Sequence, residues 1–229
     1  MKKLRLGEFE RNSLVVFAIT MIANVLSYLY QIVMGNVLTP ADYGTVNTLL
    51  SLSVVVGVPS GIISALTATY TAKYHAHGET FAIAAFMHGM LRVAAVLAAI
   101  VFVVGALLSR PIARVLQIDD PHYVTVVMVL VASNCLGPVF SSTLQGVKRF
   151  IPYSMNSVLS FAFRLLLGVI FVWLGWGIPG ALAALILAAC LTMLYCLFKS
   201  RDLFFAPVKE KLALDRTEIR RYFVSTFWF

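Results

Sequence analysis

Two arginines, Arg92 and Arg164, lie inside long apolar stretches of this sequence, and no Asp or Glu occurs in any of those stretches. A guanidinium group keeps its proton in lipid. Placing one at the centre of a membrane helix costs roughly 2.5 to 3.5 kcal/mol on insertion scales, so it normally has an anionic partner. Because the surrounding sequence supplies none, we expect an external anion, and a phosphate-bearing lipid has suitable chemistry.

Neutral polar side chains recur in the same stretches at helical spacing. Asn24, Tyr28 and Gln31 fall on one helix face, because residues three and four apart are neighbours on a helix. Such amides and hydroxyls suit sugar hydroxyl groups, but they also join membrane helices to one another. The sequence thus gives the following candidate substrate-binding residues: Arg164, Arg92, Asn24, Gln31, Asn47 and Asn156.

The composition defines the elements that must position these residues. With 60% hydrophobic and 12% charged residues, the chain is too apolar for a soluble protein of this length. Continuous apolar runs of about 20 residues indicate membrane helices and not a barrel. We therefore predict an all-α, polytopic membrane helix bundle with six transmembrane helices, at about Ser13–Val37, Tyr43–Tyr74, Phe81–Leu108, Tyr123–Leu144, Pro152–Leu174 and Ile178–Phe198.

Two local features qualify this helix pattern. The second run is too long for one straight helix and contains Gly57, Pro59 and Gly61, which predicts a kink. Such a kink lines the cavity in many transporters, but it is nearly as common in purely structural helices. The connection Ser109–His122 holds two arginines and two aspartates among apolar residues, which predicts a short amphipathic helix on the membrane surface.

The distribution of basic residues predicts the orientation. Lys and Arg cluster in the N-terminal segment, in the second-to-third and fourth-to-fifth connections and in the tail, whereas only Arg110 and Arg114 lie on the opposite side. The positive-inside rule then places the N-terminus, and both ends of the six-helix unit, in the cytoplasm. We divide the chain into a basic N-terminus (1–12), a six-helix transmembrane lobe (13–198), a basic cytoplasmic segment (199–221) and the start of a truncated seventh helix (222–229).

Motifs for other chemistries are missing from the sequence. There is no phosphate-binding GxxxxGK[ST] loop, no Ser-His-Asp arrangement and no paired-carboxylate site, so we expect no enzyme and no cofactor. The basic residues are scattered, which argues against nucleic-acid binding. The four histidines do not have the spacing of a metal site. The three cysteines do not have the spacing of a metal or redox site either, and we interpret them as small hydrophobic residues: Cys135, Cys190 and Cys196.

Three segments together resemble a known family. They are Leu38-Thr-Pro-Ala-Asp-Tyr-Gly44, with the Thr-Val-Asn-Thr-Leu-Leu-Ser-Leu that follows; Leu144-Gln-Gly-Val-Lys-Arg-Phe150; and Gly175-Trp-Gly-Ile-Pro-Gly-Ala181. The chain resembles the N-terminal lobe of oligosaccharide flippases, or polysaccharide biosynthesis proteins, of the multidrug/oligosaccharidyl-lipid/polysaccharide (MOP) exporter superfamily.

The resemblance implies a two-lobed transporter of twelve to fourteen helices that lies in the bacterial cytoplasmic (inner) membrane and works by alternating access. Its substrate would be an undecaprenyl-diphosphate-linked oligosaccharide, with Arg164 and Arg92 as the positions that could meet the diphosphate. Membrane lipid would surround the lobe, and a missing C-terminal lobe or a second chain would complete the cavity.

Other functions remain open at this stage. A cation-coupled multidrug exporter of the same superfamily would need a carboxylate inside the membrane, which this sequence lacks but a second lobe could supply. A membrane oligosaccharide polymerase would be expected to have a sizeable outward loop, and the outward segment here is modest. A membrane assembly subunit that transports nothing would use the arginines for packing alone.

Overall fold

The computed structural model describes residues 2–118 and 120–204, with side chains from Ser13 onward. Within these ranges the chain is helical, and five helices, or six spans if a bent pair counts as one, are long and apolar enough to cross a membrane. The predicted all-α membrane bundle is thus confirmed. Its helices are α1 Lys2–Val37, α2 Pro40–Val56, α3 Val58–Ala76, α4 Thr80–Leu107, α5 Ser109–Val115, α6 Pro121–Gly146, α7 Phe150–Trp173 and α8 Gly177–Phe204.

The predicted domain limits are only partly covered by the described residues. Helix α1 extends back to Lys2, and α8 continues to Phe204, beyond the Phe198 expected from the sequence. The seventh-helix start expected at 222–229, and most of the segment 199–221, lie outside the described residues.

Helix α6 is the centre of the bundle. Val127 and Leu130 on its first half join the cluster formed with α1, α2, α7 and α8. Val139 packs with α3 and α4, and Leu144 packs with α4 and α8. Since α6 is buried on several sides, its polar residues must face either another helix or an internal cavity.

The predicted kink in the second run is a complete break. Helices α2 and α3 meet at Gly57 with an angle of 49° between them. Pro59 lies in the first turn of α3, where its missing N–H and fixed φ are tolerated, whereas a straight helix would lose a hydrogen bond there. Ser60 satisfies the carbonyl of Gly57 through its backbone N–H at 2.9 Å and its hydroxyl at 2.6 Å.

We call one end of the bundle the basic end, defined by Lys73, Lys148, Arg149 and Lys199. Here α6 stops in a left-handed turn at Lys148 (φ 61°), with the Arg149 N–H donated to the Leu144 carbonyl at 2.9 Å. Arg149 then donates to the carboxylate of Asp202 and, at 3.0 Å, to the Lys199 carbonyl. The hydrogen bond that Arg149 donates to Asp202 raises the pKa of Arg149, and the pair joins the start of α7 to the end of α8.

The surface helix expected over Ser109–His122 is shorter than predicted. Helix α5 ends at Val115, the chain reverses at Gln117 (φ 54°), and Pro121 already begins α6. The segment is amphipathic, because Ala113 of α5 and Ile118 after the reversal are buried in the core while Arg110 and Arg114 are exposed. The prediction was too long because the reversal at Gln117 uses no glycine or proline, the usual sequence signals of a helix end.

Candidate functional site

A cavity of about 610 Å³ opens between the α2/α3 break and the middle parts of α6, α7 and α8. Its wall mixes small apolar residues with neutral polar side chains and one charged side chain. Polar lining residues are Ser53, Ser60, Ser133, Asn134, Ser141, Asn156, Ser160, Arg164, Thr192 and Cys196. The remaining wall is formed by Leu50, Val54, Gly57, Leu130, Gly137, Pro138, Ala189 and Met193.

Irregular backbone creates this space. The break at Gly57 turns α2 away from the line of α3. Opposite it, Pro138 lies inside α6, and a proline there cannot donate to the carbonyl four residues earlier, which is that of Asn134. Both irregular sites line the cavity. Irregular backbone at membrane depth is tolerated where it faces protein or a water-filled cavity.

Arg164 is the cation of the cavity wall. It lies in the middle part of α7, about 13 Å from the nearer helix end at 1.5 Å per residue. Its guanidinium carbon lies 5.6 Å from the centre of the Phe161 ring. Its Nε is buried without a hydrogen-bond partner. No Asp or Glu is among the described lining residues, so the wall has a net positive charge and no internal counter-ion.

Asn156, Ser160 and Arg164 form a stripe on α7, each one turn from the next. All three line the cavity, and the stripe is about 12 Å long at 1.5 Å per residue. Since α7 begins at the basic end, Asn156 lies nearer that end and Arg164 lies deeper. A ligand with a compact anion and a neutral polar portion would fit this order of groups.

Most hydroxyl groups on the cavity wall already donate their proton to a backbone carbonyl. Ser53 and Ser60 donate at 2.7 and 2.6 Å to carbonyls three residues earlier, and Thr192 donates at 2.8 Å to one four residues earlier. These oxygens therefore offer lone pairs to a ligand. Asn156 differs, because its Oδ1 accepts the S–H of Cys196 at 3.2 Å, which leaves its amide N–H groups free to donate.

The structure brings two of the six predicted site residues to this cavity, Arg164 and Asn156. Arg92, Asn24, Gln31 and Asn47 are exposed and lie outside its wall. Arg92 lies on the outer face of α4, beside the exposed Val93 and Val96. The face of α1 that carries Asn24 and Gln31 also carries Tyr28, which is 66% exposed. A ligand role for these four residues stays a prediction.

Sequence reasoning missed several wall residues. Ser53 and Thr192 gave no signal, because single hydroxyls in apolar helices usually bond to their own backbone, as both do here. Cys196 is buried as expected, but its thiol also bonds to Asn156. The usable signal was Pro138, since an internal proline marks irregular backbone. Among the described residues, no group of three His, Cys, Asp or Glu side chains could hold a metal ion.

Comparison with known families identifies the chain. A model of the family described as polysaccharide biosynthesis protein matches residues 9–229. The chain belongs to this family. No match was found among curated protein sequences.

Solved structures show the same fold. A MOP superfamily transporter from Pyrococcus furiosus, described as having a binding pocket of reverse polarity that suggests a different function, matches with a TM-score of 0.70 and 16% identity over 92% of this chain. A MATE in complex with Br-NRF matches with a TM-score of 0.74 and 15% identity over 93%. An outward-facing multidrug resistance MATE family transporter matches with a TM-score of 0.69 and 18% identity over 92%.

The chain spans 50% of the length of each of these three structures. Its fold is therefore that of one half of a MOP-type transporter. Membership of this family and the long apolar helices both point to a multi-pass membrane protein of polysaccharide biosynthesis.

Proposed function

We propose that this chain is the N-terminal lobe of a flippase, which moves a lipid-diphosphate-linked oligosaccharide across the bacterial cytoplasmic membrane by alternating access. The observation that carries the proposal is Arg164: a mid-membrane guanidinium on a cavity wall whose described lining residues include no acid. A cation without an internal partner favours an anionic ligand. A diphosphate suits it, because guanidinium binds phosphate oxygens bidentately.

The neutral part of the wall supports the second half of the proposal. Asn156 offers amide donors, and Ser53 and Ser60 offer acceptor oxygens along the same cavity. Sugar hydroxyls need both donors and acceptors and carry no charge. The cavity volume of about 610 Å³ is in the range of small-molecule sites, which suits the diphosphate and the first sugars.

Membrane orientation follows from the charge distribution. Lys73, Lys148 and Lys199 are exposed at the basic end, and Arg110 and Arg114 lie at the opposite end. Under the positive-inside rule the basic end, with the N-terminus, faces the cytoplasm. The α7 stripe would then present Asn156 first and Arg164 deeper to a ligand that enters from the cytoplasm. A C-terminal lobe or a second chain would close the other side of the cavity.

The cation-coupled drug exporter is the main rival. Coupling to a proton or a sodium ion needs a carboxylate within the membrane, and the described cavity wall has a guanidinium instead. This observation favours an anionic substrate for the lobe. For a packing-only subunit, the buried Nε of Arg164 would be expected to have a hydrogen-bond partner within the bundle, and it has none.

Lipid binding to the purified chain in nanodiscs tests the proposal. We expect wild type to bind undecaprenyl diphosphate, and Arg164→Ala to weaken that binding about 100-fold, because loss of one partner of a desolvated charge pair costs about 2 to 5 kcal/mol. Arg92→Ala is the matched control and should bind as wild type does. Undecaprenol tests the lipid chain alone, and inorganic pyrophosphate tests the headgroup alone. Equal affinities of Arg164→Ala and wild type would refute the proposal.

A further inference from the structure

The nitrogen atoms of the Arg164 guanidinium are not all equivalent. Arg164 lines the cavity, but its Nε is buried and has no hydrogen-bond partner. A guanidinium has one N–H on Nε and four on the two terminal nitrogens. If the terminal nitrogens hold a phosphate, the direction in which they point depends on what holds the Nε edge.

The second unpartnered group lies on α1. Tyr30 is only 8% exposed, and its hydroxyl is buried without a hydrogen-bond partner. Tyr30 is not among the residues that line the cavity, so its hydroxyl is not one of the groups that the cavity offers to a ligand.

Close helix packing holds the two residues near each other. Gly168 lies one turn after Arg164 on α7, and a Cβ at Gly168 would lie 3.4 Å from Cε2 of Tyr30 and overlap Cε of Met34. The absence of a side chain at Gly168 therefore lets the ring of Tyr30 lie directly against α7. For the hydrogen bond to form, the side chains must turn so that the Nε–H of Arg164 points to the phenol oxygen of Tyr30.

We infer that Tyr30 is a positioning residue for Arg164: its hydroxyl oxygen accepts the Nε–H hydrogen bond when an anion in the cavity engages the terminal nitrogens. This inference rests on the proposed function, since it needs an anion at Arg164. This hydrogen bond would give a partner to both buried groups, the Tyr30 hydroxyl and the Arg164 Nε–H. Without a partner, each group destabilises the site. It also connects cavity occupancy to α1, the helix whose other face carries the exposed Asn24 and Gln31.

Tyr30→Phe removes only the oxygen and keeps the ring that packs at Gly168. Tyr28→Phe is a matched control, because it makes the same change two residues away on the same helix at an exposed position. Arg164→Lys keeps the positive charge but has no Nε–H. These variants separate the hydrogen bond from packing and from charge.

Two measurements on the purified chain in nanodiscs test the inference. In the first, undecaprenyl diphosphate is titrated into the single and double variants. We expect Tyr30→Phe to weaken binding about 5-fold in the wild-type background and to have no effect in the Arg164→Lys background.

In the second measurement, ¹⁵N-arginine labelling follows the Nε–H signal, which is assigned to Arg164 by its loss in Arg164→Lys. This signal should become protected from exchange when the lipid binds, and lose that protection in Tyr30→Phe but not in Tyr28→Phe.

The outcomes distinguish the inference from the proposed function. If Arg164→Ala binds as wild type does, both are overturned. If Arg164→Ala loses binding while Tyr30→Phe keeps full affinity and an unchanged Nε–H signal, only the role of Tyr30 is overturned. A Tyr30→Phe effect of the same size in the Arg164→Lys background would mean that the hydroxyl acts without Arg164, and that too overturns the inference.

Discussion

Helices α4 and α7 each carry one arginine in an apolar stretch, yet the surroundings of the two side chains differ. Arg164 on α7 faces an internal cavity among amides and hydroxyls. Arg92 on α4 is exposed on the outer face of the bundle, beside Val93 and Val96. A long side chain on an outer face can extend along the helix to the lipid headgroups. An intramembrane charge therefore indicates a ligand site only where packing turns it inward.

The largest expected effect comes from reversing the two charges in turn. Arg164→Glu should abolish measurable binding of undecaprenyl diphosphate, with a loss of at least about 100-fold, since a carboxylate repels the phosphate and leaves the wall with only neutral donors. Arg92→Glu should change the affinity less than about 2-fold, because Arg92 lies outside the cavity wall. Titrations in nanodiscs at fixed salt concentration measure both.

A loss of binding in Arg92→Glu equal to that in Arg164→Glu would break the comparison. It would mean that the outer face of α4 belongs to the site. Circular dichroism of both variants provides the folding control, because each must keep the helical content of wild type.

A smaller effect should separate the sugar contacts from the phosphate contact. Asn156→Ala should weaken binding of undecaprenyl diphosphate that carries an oligosaccharide about 3- to 10-fold, the loss of one or two hydrogen bonds. It should leave binding of sugar-free undecaprenyl diphosphate unchanged. Asn24→Ala on the exposed face of α1 is the matched control. Equal losses for both lipids would place Asn156 at the phosphate and not at the sugar.

The smallest effect belongs to a third arginine, which has a partner. Arg149 bonds to Asp202 at the basic end, and their side chains are 41% and 50% exposed. Exposed ion pairs contribute about 0 to 1 kcal/mol, so Arg149→Ala should lower the melting temperature by a few degrees at most. Affinity for undecaprenyl diphosphate should not change. A large loss of affinity would show that the start of α7 contributes to the site.

The sequence predicted the helices well because each span is a continuous apolar run. It also predicted the break in the second run, since Gly57 and Pro59 interrupt that run directly. It could not show that Arg164 faces inward and Arg92 outward, because that depends on how α7 and α4 pack against the other helices. It grouped Asn24 with Gln31 correctly on one face, but periodicity does not say whether a polar face points to a cavity or away from the bundle.

The cavity itself could not be predicted from the sequence. Its wall combines residues from four spans, and the hydroxyls of Ser53 and Thr192 look like ordinary back-bonded groups. Pro138 and Gly57 line the same cavity because of the way in which α6 packs against the bent pair α2 and α3. Long-range packing of this kind leaves no local pattern in the chain.

Photo-crosslinking tests the central claim most directly, because it locates the bound lipid without any substitution. A photoreactive undecaprenyl diphosphate with its reactive group at the headgroup would be bound to the chain in nanodiscs, and the labelled peptides would be mapped by mass spectrometry. The account predicts label on the α7 stripe between Asn156 and Arg164, reduced by excess inorganic pyrophosphate. Label confined to α4 around Arg92, with none on α7, would contradict it.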